Sequence, residues 1–275
     1  METIGLIAGN GTFPLIFARE ARARGYRVVA VAHQGETRSE LETELPELTW
    51  IRVGQLGRMI RTFKRAGVKR AVMAGGINKA RSLLSIRPDW RGLRFLRRAS
   101  SMGDDGLLRA LASEFHAEGI EIVPSTLFLE RLVVAAGQLA GPCLSASARE
   151  DIRLGHAVLE AMGSVDVGQS VVVEGGVVLA VEAIEGTDAA IERAGRLGRG
   201  SAVVVKAAKA QQDLRFDVPA AGPRTLEAMI AAGATTLALR AGVSIVLEGD
   251  EVCSLAERHR IAVVGFDEQG EVDDD

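Results

Sequence analysis

Cysteine is scarce in this chain of 275 residues: Cys143 and Cys253 are the only two. Two thiols cannot build a disulfide framework or an all-cysteine zinc site, and their small, apolar neighbours suit packed thiols in a reducing compartment. Histidine is nearly as rare. His33, His116, His156 and His259 are scattered, with no spacing that fits zinc ligation or a catalytic triad, so structural roles are their default. Aromatic residues make up 4% of the chain. With no aromatic platform and no recognised reading motif beside its arginines, the sequence gives no ground for a nucleic-acid partner. Long apolar runs are also missing. No window offers the roughly 20 uncharged apolar residues of a membrane-spanning helix. Residues 1–4 lack the basic region and apolar core of a signal peptide. A soluble, cytoplasmic protein is expected, with surface contact as its remaining membrane role.

Hydrophobic residues at 47% and charged residues at 25% describe a globular chain, not a disordered or fibrous one. The length allows two domains of ordinary size. The net charge of −3 conceals a division. Residues 1–135 hold 21 Lys+Arg against 14 Asp+Glu, a net of +7, and the remainder holds 12 against 22, a net of −10. A basic half suited to anions is thus joined to an acidic half suited to cations.

Residues 4–8 read as a short buried strand, followed by Gly9-Asn10-Gly11-Thr12 and a helix over 14–23 that opens on Pro14 and stops at Gly25. A second apolar strand covers 26–32, which completes a βαβ unit. The pattern repeats as helix 59–66, strand 70–74, helix 107–118 and strand 120–124. An open, Rossmann-like parallel α/β sheet is therefore expected over 1–136. Breakers and small residues over 137–147 suit a linker. Beyond it, 148–275 reads as a mixed α/β domain: helices over 152–162, 189–196, 223–232 and 252–259, a hairpin from 169–173 into 177–182, and strands over 202–205, 236–239, 244–247 and 261–264. The substrate site is expected between the two domains.

Three groups of residues have the chemistry of an anion site. Gly9, Asn10 and Gly11 lie between a strand and a helix start, where backbone N–H groups accept phosphate. The dinucleotide fingerprint is incomplete: Leu15 or Ile16 occupies its third glycine position, and His33-Gln34-Gly35 stands where a ribose-binding acid belongs. That argues against a dehydrogenase. Gly75, Gly76 and Lys79 follow the 70–74 strand at the same sheet edge. Next comes a basic stretch, Arg81 to Arg98 with Asp89 as its only acid. Trp90, Leu93 and Leu96 recur there at helical spacing, which suits core packing or an interfacial helix on an anionic bilayer. Asp104 and Asp105 precede a helix, and one of them suffices to cap it. In the acidic half, Glu182, Glu185 and Asp188 fall within seven residues at a strand end, a set suited to a hard cation. Thr187 or Asp188 is expected to cap the helix that follows. Asp213, Arg215 and Asp217 alternate beside Lys206 and Lys209, so an extended segment would present them on one face. Gly222 to Thr225 begin a further helix whose N-terminus suits an oxyanion.

Across nearly its whole length the chain resembles the UDP-2,3-diacylglucosamine pyrophosphatase family of lipid A biosynthesis, the LpxI type. The matching runs are 5–11 with Pro14, Gly103-Asp104-Asp105, and Asp166-Val167-Gly168-Gln169. The most specific are 181–188 and 212–219, with Gly222 and Thr225. The resemblance implies a Mg²⁺-dependent hydrolase that splits UDP-2,3-diacylglucosamine into UMP and 2,3-diacylglucosamine 1-phosphate; the basic half adds the expectation of transient contact at the inner-membrane surface. A homodimer stays open. On this reading Asp217, Asp213 and Arg215 are catalytic, and Asp217, Asp188, Glu185 and Glu182 are candidate metal ligands. Substrate contacts are assigned to Gly9, Asn10, Gly11, Gly75, Gly76, Lys79, Asp104, Asp105, Gln169, Thr187, Lys206, Lys209 and Thr225. The rival reading is a non-catalytic binder of nucleotide sugars or lipid phosphates, which needs the glycine turns and basic stretch but not the carboxylates.

Overall fold

A run such as Thr3-Ile4-Gly5-Leu6-Ile7-Ala8 has no polar alternation, so its strand must be covered on both faces. The computed structural model describes residues 1–77, 86–99, 104–209, 213–216 and 218–273, and of Asp104 and Asp105 only the backbone. Five such strands form one all-parallel sheet: β1 (Thr3–Ala8), β2 (Arg27–His33), β3 (Leu48–Ile51), β4 (Arg70–Ala74) and β5 (Glu121–Ile122). Their spatial order is β3-β2-β1-β4-β5. The connecting helices are α1 (Phe13–Ala23), the single turn α2 (Leu41–Glu44), α3 (Leu56–Arg65), α4 (Trp90–Ala99) and α5 (Asp104–His116). Alternate side chains of these strands supply opposite faces. Ile7, Val29, Val31 and Met73 pack with Phe63 of α3 and Phe115 of α5 in one buried cluster.

The chain divides into two compact units: Met1–Glu130 with Asp213–Asp217, and Arg131–Gln212 with Val218–Asp275. The first unit thus takes in a five-residue piece from far along the chain. Phe216, 8% exposed, lies in the same cluster as Phe63 and Phe115. Burial of this one ring explains why the segment belongs to a core otherwise built by residues before 131.

The second unit has a six-stranded mixed sheet, β6-β13-β11-β9-β7-β8. Its strands are β6 (Gly137–Ala140), β7 (Ser170–Glu174), β8 (Val177–Val181), β9 (Val203–Lys206), β11 (Thr236–Arg240) and β13 (Ala262–Phe266). β9, β11 and β13 run parallel, and β6, β7 and β8 make antiparallel pairs. A two-stranded parallel sheet, β10 (Ala220–Ala221) with β12 (Ile245–Val246), stands apart. Helix α6 (Ala146–Gly163) covers one face, and α7 (Thr187–Gly195), α8 (Pro223–Ala232) and α9 (Gly249–His259) pack on the other. The expected hairpin is β7–β8. The buried carboxylate of Asp151 holds its turn, accepting the N–H groups of Gly175 at 2.8 Å and Gly176 at 2.7 Å.

The segment expected to link the domains contains structure of its own. Gly137–Ala140 is β6, paired with β13, and Ser145 caps α6 by accepting the Ala148 N–H at 3.1 Å. Breaker residues there mark a strand end and a helix cap, which composition alone does not separate from a linker.

Candidate functional site

In the first unit the strand order reverses between β1 and β4, and the loops after these two strands meet. The Gly9 N–H donates to the Ala74 carbonyl at 2.8 Å, and the Asn10 N–H to the Gly76 carbonyl at 2.8 Å. A Cβ on Gly9 would sit 2.3 Å from the carbonyl oxygens of Gly75 and Gly76. One on Gly75, whose φ is +81°, would sit 2.2 Å from the Asn10 carbonyl oxygen. Only glycine permits this crossing. The α1 N-terminus beside it has no side-chain cap, which leaves first-turn N–H groups for an anion.

His33, at the end of β2, is buried, and its Nδ1 lies 2.9 Å from the Ala8 carbonyl oxygen. That oxygen only accepts, so Nδ1 carries the proton and Nε2 does not. Burial lowers the imidazole pKa below its ordinary value and keeps the ring neutral. Thr37 donates to the same oxygen at 2.7 Å and accepts the His33 N–H at 2.9 Å. The structural role expected of His33 is therefore specific: with Thr37, it fixes the last carbonyl before the Gly9 turn.

Asp213 and Arg215 do not share a face of an extended segment, as their alternation suggested. Residues 214–216 turn, and Arg215 folds back on Asp213. Its Nε lies 2.9 and 3.1 Å from the two carboxylate oxygens and its Nη2 2.6 Å from Oδ2, while the Arg215 N–H donates to Oδ1 at 3.1 Å. The guanidinium sits 4.9 Å from the centre of the Phe216 ring. Arg215, and more weakly Arg109, holds the Asp213 carboxyl below the usual carboxylate range. A short polar loop satisfies its own charges more readily than it stays extended. Asp217 and Lys79 lie outside the described residues, and Asp104 and Asp105 are placed only as the start of α5.

The second unit gathers polar side chains where β7, β9 and the start of α7 meet. Ser170 and Lys206 are register partners on adjacent strands, and both are buried. The Lys206 ammonium donates to Thr187 Oγ1 at 2.8 Å, and the Thr187 hydroxyl donates to Glu182 Oε2 at 3.0 Å. Ser170 Oγ lies 3.2 Å from the same hydroxyl. Contrary to the expectation from the sequence, neither Thr187 nor Asp188 caps α7. Gly186 is the cap residue, and Thr187 turns its hydroxyl into this network instead. A buried ammonium at a helix N-terminus is a concentrated positive site. Ser170 was missed in the sequence, although a serine opening an otherwise apolar strand was its available signal.

The remaining polar residues have partners of their own. Lys209 pairs with Asp166, Glu185 with Arg193 at 2.7 Å, and Asp188 with Arg224 at 2.8 Å. The Gln169 carbonyl accepts the Ala207 N–H at 3.1 Å. Thr225 is buried and accepts the Gly222 N–H at 3.4 Å, closing the first turn of α8. Among the described residues no three His, Cys, Asp or Glu side chains gather as a metal-holding group.

The first unit is thus a doubly wound α/β unit with two glycine turns at its switch point, the class of fold that takes ligands at the carboxyl edge of its strands. Two family profiles, the LpxI N-terminal domain and the LpxI C-terminal domain, match residues 3–132 and 135–264. UDP-2,3-diacylglucosamine pyrophosphatase LpxI of Caulobacter vibrioides is 32% identical over 282 residues, covering 98% of this chain and 99% of that protein. The chain belongs to the LpxI family. Among solved structures it has slight likeness to the biotin carboxylase subunit of pyruvate carboxylase, at 13% identity over 67% of this chain, with a TM-score of 0.26. The biotin carboxylase domain of Hydrogenobacter thermophilus 2-oxoglutarate carboxylase matches at 12% identity over 70% of this chain, with a TM-score of 0.25. The chain spans 39% and 40% of those two chains, and likeness at this level defines no common fold.

Proposed function

We propose that the chain hydrolyses the pyrophosphate bond of UDP-2,3-diacylglucosamine to UMP and 2,3-diacylglucosamine 1-phosphate, with Mg²⁺ as cofactor, in lipid A biosynthesis. The observation that carries this reading is the end-to-end relationship to a pyrophosphatase of that name. Two local features support it. The crossed glycine turns and the uncapped start of α1 suit a nucleotide or phosphate group. The Lys206–Thr187–Glu182 network at the start of α7 suits a second anionic group. Exposed Val165, Val167 and Ile184, in the segments next to Asp166 and Glu182, offer apolar surface for acyl chains.

Mg²⁺ is ordinarily held by one or two carboxylates together with substrate phosphates and water. The described residues fit that modest demand. Glu182 and Asp188 flank the start of α7, with Glu185 between them, and one or two of these carboxylates would meet it. When bound there, Mg²⁺ would supply neutralisation of charge on the pyrophosphate oxygens. The chain's own work is electrostatic and positional. Lys206 presents a fixed ammonium, Thr187 orients it, and Asp217 is the candidate to position the attacking water.

The reading is tested by incubating the protein with UDP-2,3-diacylglucosamine in ¹⁸O-water, with and without Mg²⁺. UMP release with Mg²⁺ and its loss with a chelator are expected, and mass analysis of both products locates the attacked phosphorus. Unchanged substrate in both arms favours the non-catalytic binder. Lys206→Met keeps the apolar stem and removes the charge. It is expected to lower kcat about 100-fold with a smaller change in KM, measured by initial rates of UMP release. A rate within twofold of the parent would exclude Lys206 from charge neutralisation.

A further inference from the structure

Helix α4 has its polar and apolar residues sorted in an unusual way. Gly92 and Ala99 are buried and Phe95 packs on the first unit's core, while Trp90, Arg94 and Arg97 are exposed. Positions 90, 94 and 97 make one helical stripe. Trp90, expected from its spacing to join Leu93 and Leu96 on the apolar side, is instead 78% exposed. It is the only exposed large aromatic side chain among the described residues. On the neighbouring helix α3, Arg58, Arg61 and Arg65 are also exposed. Asp89 ties the two helix starts together, accepting the Arg58 N–H at 2.9 Å and the Gly92 N–H at 2.8 Å. An open groove of about 330 Å³ follows α3, lined by Arg61, Lys64, Arg65, Arg91 and Glu118. Its one carboxylate is held by Lys64 and Arg91, each at 2.6 Å.

We propose that the face formed by α3 and α4 docks the protein on an anionic phospholipid bilayer, with Trp90 in the headgroup layer and the arginines on lipid phosphates. An amphipathic indole favours the membrane–water interface over full exposure to water. Each basic side chain near an anionic leaflet adds attraction. A single exposed ring framed by arginines suits one interfacial anchor. It does not suit a platform for successive bases, which needs several stacked aromatics. This deepens the function proposed above and rests on it for its purpose, because a diacylated substrate is drawn from a bilayer.

Sedimentation of the full chain with phosphatidylcholine vesicles, with and without phosphatidylglycerol, tests the proposal. Binding only to the phosphatidylglycerol vesicles, weakened by added salt, is expected. Arg58→Glu with Arg94→Glu is expected to lower the partition coefficient about tenfold or more, and Trp90→Ala several-fold. In a Trp50→Phe background Trp90 is the sole tryptophan, and its emission shifts to the blue on anionic vesicles. Hydrolysis of detergent-dispersed substrate by these variants stays at the parent rate, so failure to dock and failure to hydrolyse are read separately. Equal binding to both vesicle types, no binding to either, an unmoved Trp90 emission, or parental binding by the charge-reversed variant overturns the proposal. So does retention of single-stranded RNA with indifference to vesicles, which assigns the face to nucleic acid.

Discussion

Alanine at Gly75 is expected to cost about 4 kcal/mol or more of stability, because the added methyl falls on backbone that cannot swing aside. Its Cβ would lie 2.2 Å from the Asn10 carbonyl oxygen, and the φ of +81° is itself strained for an L side chain. Relief requires the β1 and β4 loops to part, which breaks the hydrogen bonds from Gly9 to Ala74 and from Asn10 to Gly76. Gly76→Ala is the control. Among the described residues its Cβ meets only the Asn10 side chain, no closer than 3.6 Å, so a change within about 0.5 kcal/mol is expected. Urea melts of the two variants decide the matter. Equal stability of Gly75→Ala and the parent would show that the loops do not cross as described.

Asp217→Ala is expected to lower UMP release about 1000-fold or more while leaving the melting temperature within a few degrees of the parent. The neighbouring residues explain why this one change outweighs its companions. Asp213 is already committed to Arg215 through three short contacts, so its charge is spent within the loop. Phe216 anchors its segment in the first unit's core. Asp213→Asn is expected to act more mildly, by loosening Arg215. UMP release is followed by chromatography, and circular dichroism reports the fold. Near-parental turnover in Asp217→Ala removes that residue from the chemistry.

Much of the architecture was legible in the chain. Uninterrupted apolar runs named β1, β2 and β4, and glycines directly after β1 and β4 placed the Gly9 and Gly75 turns at one sheet edge, because a parallel sheet has no other way to connect its strands. The helix Pro223–Ala232 was readable to the residue from its proline start and glycine stop. One short strand was not. β3, Leu48–Ile51, is a half-buried four-residue strand next to an acidic run, and its hydrophobic signal is too brief to rise above that background.

The candidate site divides along the same line. By itself the sequence determined which residue types were present, their spacing, the βαβ order and the likeness to the LpxI family. These depend on the chain's local period and on matched runs of residues. Only the tertiary structure decided who meets whom. Ser170 joins Lys206 because two strands pair in one register, Thr187 leaves the cap position for that pair, and Phe216 carries its segment into a core built more than 80 residues earlier. It also decided that Trp90 faces outward, because α4 turns Phe95 and Ala99 to the core. Register, ion pairing and burial are relations between distant parts of the chain, and the local period of a sequence carries no record of them.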